Sequence, residues 1–342
     1  MKTFIQIICC FALCGIFFAF YCLGGSDEQA DTKDFNEYHP KGVQTAPTNF
    51  ENMWIEGDTD IQRLAGFNQY QYKYIYVMNV SGKVDKATLK IPIPRNQHRN
   101  QYISNLKINP KPYKIFEIHG NSIAEYRLTD LTQGQYLFEI DGVANVRRYD
   151  IEKAKKDKKN PYPEQDLKRY LTGEKGIEIH HPLVKKIAAS ISGATQEEIV
   201  GNIYKYVNKH IDYSLGQINP SAVNGLKSGR GQCGEFAAAM VALCRARGIP
   251  ARIVSGNITR TRDTAHTWVE VYYPEYGWVL YDPTFMNGTI SATGKRTPFI
   301  ANNDYITSIK NEFASWYITY SNTDTNYNGN ISLKEAVNIQ RL

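Results

Sequence analysis

A chain of 342 residues is too long for one typical compact domain and suits two or three. Hydrophobic content of 42% and charged content of 22% are those of a globular protein and exclude a wholly disordered or fibrous chain. Part of the formal net charge of +6 comes from one run, Arg147-Arg148 with Lys153, Lys155, Lys156, Lys158 and Lys159, which acidic residues interrupt and no recognition motif accompanies. It reads as a solvated linker or helix face, and no nucleic-acid partner is expected.

In chain order, Met1-Lys2-Thr3 precedes an apolar run from Phe4 to Leu23 broken only by Gln6. One positive charge before a long uncharged apolar segment is an export signal, and the run is long enough to span a membrane as a helix. Residues 1–25 are therefore expected to be a signal peptide or a membrane anchor. The rest of the chain then lies outside the cytoplasm (periplasmic, cell-surface or secreted), with membrane contact only through this segment. Lipidation at Cys22 fits poorly, because Ala19-Phe20-Tyr21 precedes it instead of small residues. Cys9, Cys10, Cys14 and Cys22 fall inside the segment, leaving Cys233 and Cys244 in the mature part. On one predicted helix those two lie roughly 16 Å apart, beyond disulfide reach. Two unpaired cysteines in an exported protein point to a reactive thiol.

Residues 26–48 read as a polar tether. From 49 to 150 the pattern is β. Tyr70, Tyr72, Tyr74 and Tyr76 alternate with Gln71, Lys73 and Ile75, and Ser81-Gly82 breaks the run. Ala87 to Ile93 is a second strand, whose Pro92 and neighbouring Pro94 suggest an edge or an end. Segments near Tyr113–Ile118, Ile123–Leu128 and Gln135–Ile140 are separated by turn signals. Several short strands so spaced predict a β-sandwich with a structural or binding role.

Helical signals follow in 151–310. Thr195-Gln-Glu-Glu198 fits a capping box, and Ile199, Ile203, Tyr206 and Val207 fall on one face of the helix it opens. A loop is expected from Leu215 to Arg230. A second helix then starts at Cys233, its apolar face continuing through Ala237, Met240, Val241 and Cys244. Gly248 fits its left-handed cap. Ala251–Ser255, Ala265–Tyr273 and Trp278–Asp282 read as strands, with Pro274-Glu-Tyr-Gly277 as a hairpin turn, so this part is α+β.

Cys233 stands where a glycine-rich loop turns into a helix. The first turn of a helix has unpaired amides and partial positive charge, which stabilise a thiolate. Gly231 and Gly234 leave the sulfur open, the Cys233 amide can face a developing oxyanion, and Glu235 would oppose the thiolate if it faced the sulfur. A thiol nucleophile needs a base, and the base needs an orienting group. His266 opens one strand and Asp282 ends the next, and neighbouring strands are close enough for the two to meet if they share a face. A lone cysteine or histidine in such a place is more often structural. The three together, in the order Cys, His, Asp, point to a catalytic site that needs no metal. Cys244 reads as an inert core residue.

Gly231-Gln-Cys-Gly-Glu-Phe-Ala237, Gly248-Ile-Pro-Ala-Arg252, His266-Thr-Trp-Val-Glu-Val271 and Tyr281-Asp-Pro-Thr284 together resemble the transglutaminase-like superfamily, over roughly Pro182 to Thr284. The resemblance implies a papain-like core with Cys233 as nucleophile, His266 as base and Asp282 as orienting acid. Animal members commonly place a tryptophan directly after the cysteine, where Gly234 stands here. The chain is thus similar to bacterial members, many assigned as peptidases. An upstream aromatic near the oxyanion is also implied, for which Tyr213 is the candidate. The expected function is an exported thiol hydrolase or acyltransferase acting on amide bonds of a protein or peptide substrate. The alternatives are a cross-linking transglutaminase and a non-catalytic adhesion protein on the same fold.

At 311–342, Asp324-Thr-Asn-Tyr-Asn-Gly-Asn-Ile-Ser-Leu-Lys-Glu335 resembles an EF-hand calcium loop. Asp324, Asn326, Asn328, the Asn330 carbonyl, Ser332 through water and both Glu335 oxygens would hold a structural Ca²⁺. Gly329 makes the sharp turn. Phe313, Trp316, Tyr317 and Tyr320 are expected on an entering helix, and Ala336, Val337 and Ile339 on an exiting one.

Overall fold

The computed structural model describes residues from Gly66 onward except 98–99, 158–165, 215–219, 260–264, 285–288, 291–295, 298–303, 311–316 and 323–325. Before Gly66 it describes only the short strands Phe4–Ile5, Val43–Gln44 and Met53–Ile55. Apart from the first two of these, the expected export segment and tether lie outside the described residues. No helix among the described residues is long and apolar enough to cross a membrane.

Six strands come first: β1 (Asn68–Ser81), β2 (Val84–Ile93), β3 (Gln101–Asn109), β4 (Lys114–Ile118), β5 (Asn121–Leu131) and β6 (Gly134–Val146). They divide between two antiparallel sheets whose inner faces share one apolar core. The alternation seen in the sequence has the predicted consequence. Tyr70, Tyr72, Tyr74, Tyr76 and Met78 point into that core while the intervening residues face outward. β2 lies inside its sheet, so its prolines mark the strand's end and not an edge.

The helical part holds α1 (Ile151–Asp157), α2 (Pro182–Ser190), α3 (Gln196–His210), α4 (Ala222–Ser228) and α5 (Cys233–Ala246). Part of the basic run is thus the helix α1. Thr195 caps α3 through Glu198 N–H at 3.2 Å, while the Glu198 carboxylate reaches the Ala194 amide at 2.7 Å. α4 lies in what was expected to be a loop. Ser221 caps its start through the Asn224 amide, and Gly229, at φ 66°, ends it. Residues 233–245 of α5 are buried on every side, which corrects the expected single apolar face: this is a central helix. α2, α3 and α4 pack around it, and it lies against a sheet ordered β11-β10-β9-β12, made of β9 (Ala251–Ile258), β10 (Ala265–Tyr273), β11 (Gly277–Tyr281) and β12 (Tyr305–Lys310).

Phe313 and Trp316 of the expected entering helix lie outside the described residues, and the expected helical positions from Tyr317 onward are corrected to strands. β13 (Tyr317–Ser321) pairs with β2, and β14 (Asn330–Arg341) pairs with β1 from Asn330↔Ser81 to Arg341↔Tyr70. Ile331 and Leu333 are buried while Ser332 and Lys334 are exposed, a period of two that suits a half-buried strand. Residues 317–341 therefore complete the two sheets begun at Asn68.

This geometry also alters the expected calcium loop. Asp324 lies outside the described residues. Glu335 is five residues along an extended strand from Asn330, about 16 Å away, so it does not close over the turn. Its carboxylate instead receives the Tyr76 hydroxyl at 3.5 Å, and the Asn330 side chain receives the Tyr320 hydroxyl at 3.1 Å. Ser332 lies on the strand as well. Gly329 is needed for close packing: a β-carbon there would sit 2.5 Å from the Ser81 carbonyl oxygen. The turn at Asn326 and Asn328 thus docks on the β1–β2 hairpin.

Candidate active site

Cys233 is the first residue of α5 and is 9% exposed. The helix starts cleanly because Gln232 is extended and Glu235 folds back, its Oε2 accepting the Gln232 amide at 2.8 Å. Glu235 is therefore turned onto the backbone, and burial raises its pKa above the usual carboxylate value. The neighbouring glycines are packing requirements. A β-carbon on Gly231 would lie 2.4 Å from the Glu235 β-carbon, and one on Gly234 would lie 2.8 Å from Pro220 Cγ. Cys233 thus stands in the first turn, where a helix carries partial positive charge.

His266 is the second residue of β10, opposite Gly256 of β9. Gly256 cannot be replaced, since its β-carbon would fall 2.0 Å from the Ile306 carbonyl oxygen where β12 closes on β9 at a bulge. Asp282 follows β11. The register Val269↔Tyr281 carries Asp282 across from Trp268, one diagonal step from His266 on the same face. His266 Nε2 and Asp282 Oδ2 meet at 2.8 Å, both side chains almost wholly buried. His266 also hydrogen-bonds Cys233. With Nε2 committed to Asp282, the other ring nitrogen, Nδ1, is the one left for the sulfur.

Asp282 is held from several sides. Its Oδ1 accepts the Thr284 amide at 3.2 Å, its Oδ2 accepts the Tyr305 hydroxyl at 3.0 Å, and Asn208 Nδ2 anchors the Pro283 carbonyl at 2.8 Å. The His266 ring lies nearly parallel to that of Trp268, with centroids 6.3 Å apart. Burial pulls the His266 pKa down, but the charge and hydrogen bond of Asp282, with those of Cys233, outweigh it and raise the value from 6.5 to about 10. Cys244 is fully buried, and burial pushes its thiol up to about 12.

The structure thus brings Cys233, His266 and Asp282 together. Tyr213 is close by in the chain's pairing: the parallel pair Asp212–Tyr213 and Arg230–Gly231 sets it beside Gly231, two residues before Cys233, with its ring against the α5 core. Asp324 lies outside the described residues, and Asn326, Asn328, Asn330, Ser332 and Glu335 belong to the two-sheet unit and not to this site. Among the described residues no group of three His, Cys, Asp or Glu could hold a metal ion. Sequence reasoning missed Asn208, Trp268 and Tyr305. Trp268 could have been found, because it shares the strand face of His266 at two-residue spacing. Asn208 and Tyr305 act across long stretches of chain and carry no local signal.

The chain is 25% identical over 279 residues to the uncharacterized protein YebA of Bacillus subtilis, covering 71% of this chain and 36% of that one. It is 39% identical over 66 residues to a protein-glutamine gamma-glutamyltransferase of Pseudomonas aeruginosa, covering 16% of this chain and 10% of that protein. It therefore spans only about a third and a tenth of these two curated relatives. The crystal structure of a candidate cysteine protease from Cytophaga hutchinsonii shares the fold at a TM-score of 0.57 and 15% identity, over 85% of this chain and 93% of that one. Residues 184–283, which include Cys233, His266 and Asp282, match the model of the transglutaminase-like superfamily.

Proposed function

We propose that the protein is an exported thiol hydrolase that cleaves amide bonds of a protein or peptide. Cys233 is the nucleophile, His266 the acid and base, and Asp282 the orienting group. The observation that carries this reading is the 2.8 Å contact between His266 and Asp282 beside a cysteine at a helix start. With its proton held to about pH 10, His266 is imidazolium at neutral pH and stands beside the Cys233 sulfur, which as thiolate is the nucleophile. The thiolate attacks the amide carbon, and the oxyanion meets the Cys233 amide, with Tyr213 as a second candidate donor. Collapse breaks the C–N bond as His266 gives its proton to the leaving amine. Neutral His266 then takes a proton from water, whose oxygen attacks the acyl-enzyme. Release of the acid returns thiolate and imidazolium.

The short likeness to a protein-glutamine gamma-glutamyltransferase favours a second reading, in which an amine replaces water. Hydrolysis is the first choice because Gly234, packed on Pro220, stands where cross-linking animal relatives commonly carry tryptophan. The two-sheet unit is read as a β-sandwich, export rests on the apolar run from Phe4 to Leu23, and calcium is assigned to the turn at Asp324, Asn326 and Asn328. The activity is tested by incubating the protein with a glutamine-containing peptide library and a labelled primary amine. New amine termini or released ammonia without label incorporation, absent in Cys233→Ala, is the expected result. Incorporation of the label would select the second reading, and no Cys233-dependent product of either kind would overturn both.

A further inference from the structure

β12 belongs to two packing systems at once. Its backbone pairs with β9 from Ile258↔Tyr305 to Val254↔Lys310. Its Ile306 side chain is buried in the core of the two sheets that begin at Asn68. That unit also grips the β12 backbone. Gln101 Oε1 accepts the Thr307 amide at 2.7 Å, and its Nε2 donates to the Thr307 carbonyl at 3.0 Å. Asn121 Oδ1 accepts the Lys310 amide at 2.9 Å, and its Nδ2 donates to the Lys310 carbonyl at 2.9 Å. Each buried amide thus supplies the donor and acceptor that another strand would have offered. Asp304, just before β12, takes the Asn68 amide at 2.7 Å and the Tyr70 hydroxyl at 2.8 Å. The Tyr74 hydroxyl donates to Asn257 Oδ1 at 2.7 Å and touches Ser308 Oγ at 3.1 Å.

The first residue of this clamped strand is Tyr305, whose hydroxyl donates to the same Asp282 oxygen that His266 Nε2 reaches. Trp268 fills the space between, edge-on to the Tyr305 ring with centroids 5.0 Å apart. We propose that Tyr305 is a positioning residue for the Asp282–His266 pair, and that the two-sheet unit sets its place through β12. This rests on the hydrolase reading above. Two donors on Oδ2 and the Thr284 amide on Oδ1 stop the carboxylate from turning. The first two sheets are then a supporting part of the site.

Among the described residues, the charged and titratable groups that act on this pair are Cys233 from α5, Tyr305 from β12 and Tyr204 from α3, and Arg148, from the segment before α1, acts on those two tyrosines. Removing the Tyr305 hydroxyl leaves Oδ2 to His266 alone, so the imidazolium holds its proton to higher pH and becomes a poorer acid toward the leaving amine. Two readouts test this: kcat and KM on the amide substrate, and the pH profile of Cys233 alkylation by iodoacetamide. Tyr305→Phe is expected to lower kcat about tenfold with KM unchanged, and to move the upper limb of the alkylation profile to higher pH. Gln101→Leu and Asn121→Ala, far from the sulfur, are expected to move the same limb in the same direction by less. A side chain that only packs would lower the melting temperature and leave that limb in place. Folded Tyr305→Phe with a wild-type limb and wild-type kcat would overturn the role of Tyr305. Should that variant not fold, wild-type profiles in folded Gln101→Leu and Asn121→Ala would overturn the proposal. Alkylation needs no amide substrate, so a wild-type protein that cleaves nothing sinks the hydrolase reading alone.

Discussion

Glu235 Oε2 accepts the Gln232 amide at 2.8 Å, which turns the carboxylate nearest in sequence to Cys233 back onto the start of its own helix. The same side chain forces glycine at position 231. Glu235→Ala leaves the buried Gln232 amide unpaired and should cost about 1–3 kcal/mol of stability, read by denaturant unfolding. The wild-type carboxyl has its pKa raised by burial, so its contribution is complete below the usual carboxylate value and fades as pH rises through the raised one. Glu235→Gln keeps an acceptor for the amide and should remove that part of the pH dependence. An unchanged slope of melting temperature against pH would show that Glu235 does not carry it.

The two free cysteines should react very differently. Cys244 is buried in the α5 core with its thiol pushed up to about 12, while Cys233 stands at the helix start against His266. In folded protein at neutral pH, iodoacetamide should label Cys233 more than about a hundredfold faster than Cys244. His266→Ala should slow Cys233 toward the rate of an ordinary thiol. Peptide mapping after timed alkylation reads both, and equal rates at the two positions would contradict the activated thiol.

The His266 pair should make stability fall in alkali. Its folded pKa of about 10 exceeds the ordinary 6.5, so the stabilisation is fully present below about pH 6.5 and is lost as pH rises through about 10. Asp282→Asn removes the carboxylate that raises the value, and should flatten the melting temperature over that range while abolishing turnover. A wild-type melting temperature that stays level from pH 6 to above pH 10 would refute the shift.

Calcium, if it settles on the turn before β14, must be held without Glu335, which lies far along that strand against Tyr76. At roughly millimolar calcium a rise in melting temperature is expected, removed by Asp324→Ala and kept in Glu335→Ala. Loss of the rise in Glu335→Ala would restore the EF-hand geometry, and no rise in the wild type would dismiss the ion.

Local chemistry announced much of the site. The helix start at Cys233, the left-handed Gly248 at φ 74° and the turn before Gly277 lie where residue type and spacing put them. The diagonal placing of Asp282 and His266 followed from a short hairpin whose register few residues decide. The C-terminal reading went astray because a loop pattern outweighed the alternation of Ile331 and Leu333, which already belonged to a strand. α4 also carried legible marks in Ser221 and Gly229. Tyr305 and Gln101 carried none, since what each does is fixed by a partner brought near only by the fold.

β1 and β2, among the earliest strands of the described chain, find neighbours in β14 and β13, among the latest. The two sheets are therefore interrupted by the whole helical unit and stay open along one flank of each until residues 317–341 arrive. During synthesis or export the exposed backbone of β1 and β2 has no strand to meet, and pairings across such sequence separation form slowly. A chain stopped near residue 310 would keep Cys233, His266 and Asp282 in sequence and still carry two bare strand edges. Loss of the tail should thus be felt first as aggregation, before any change in chemistry.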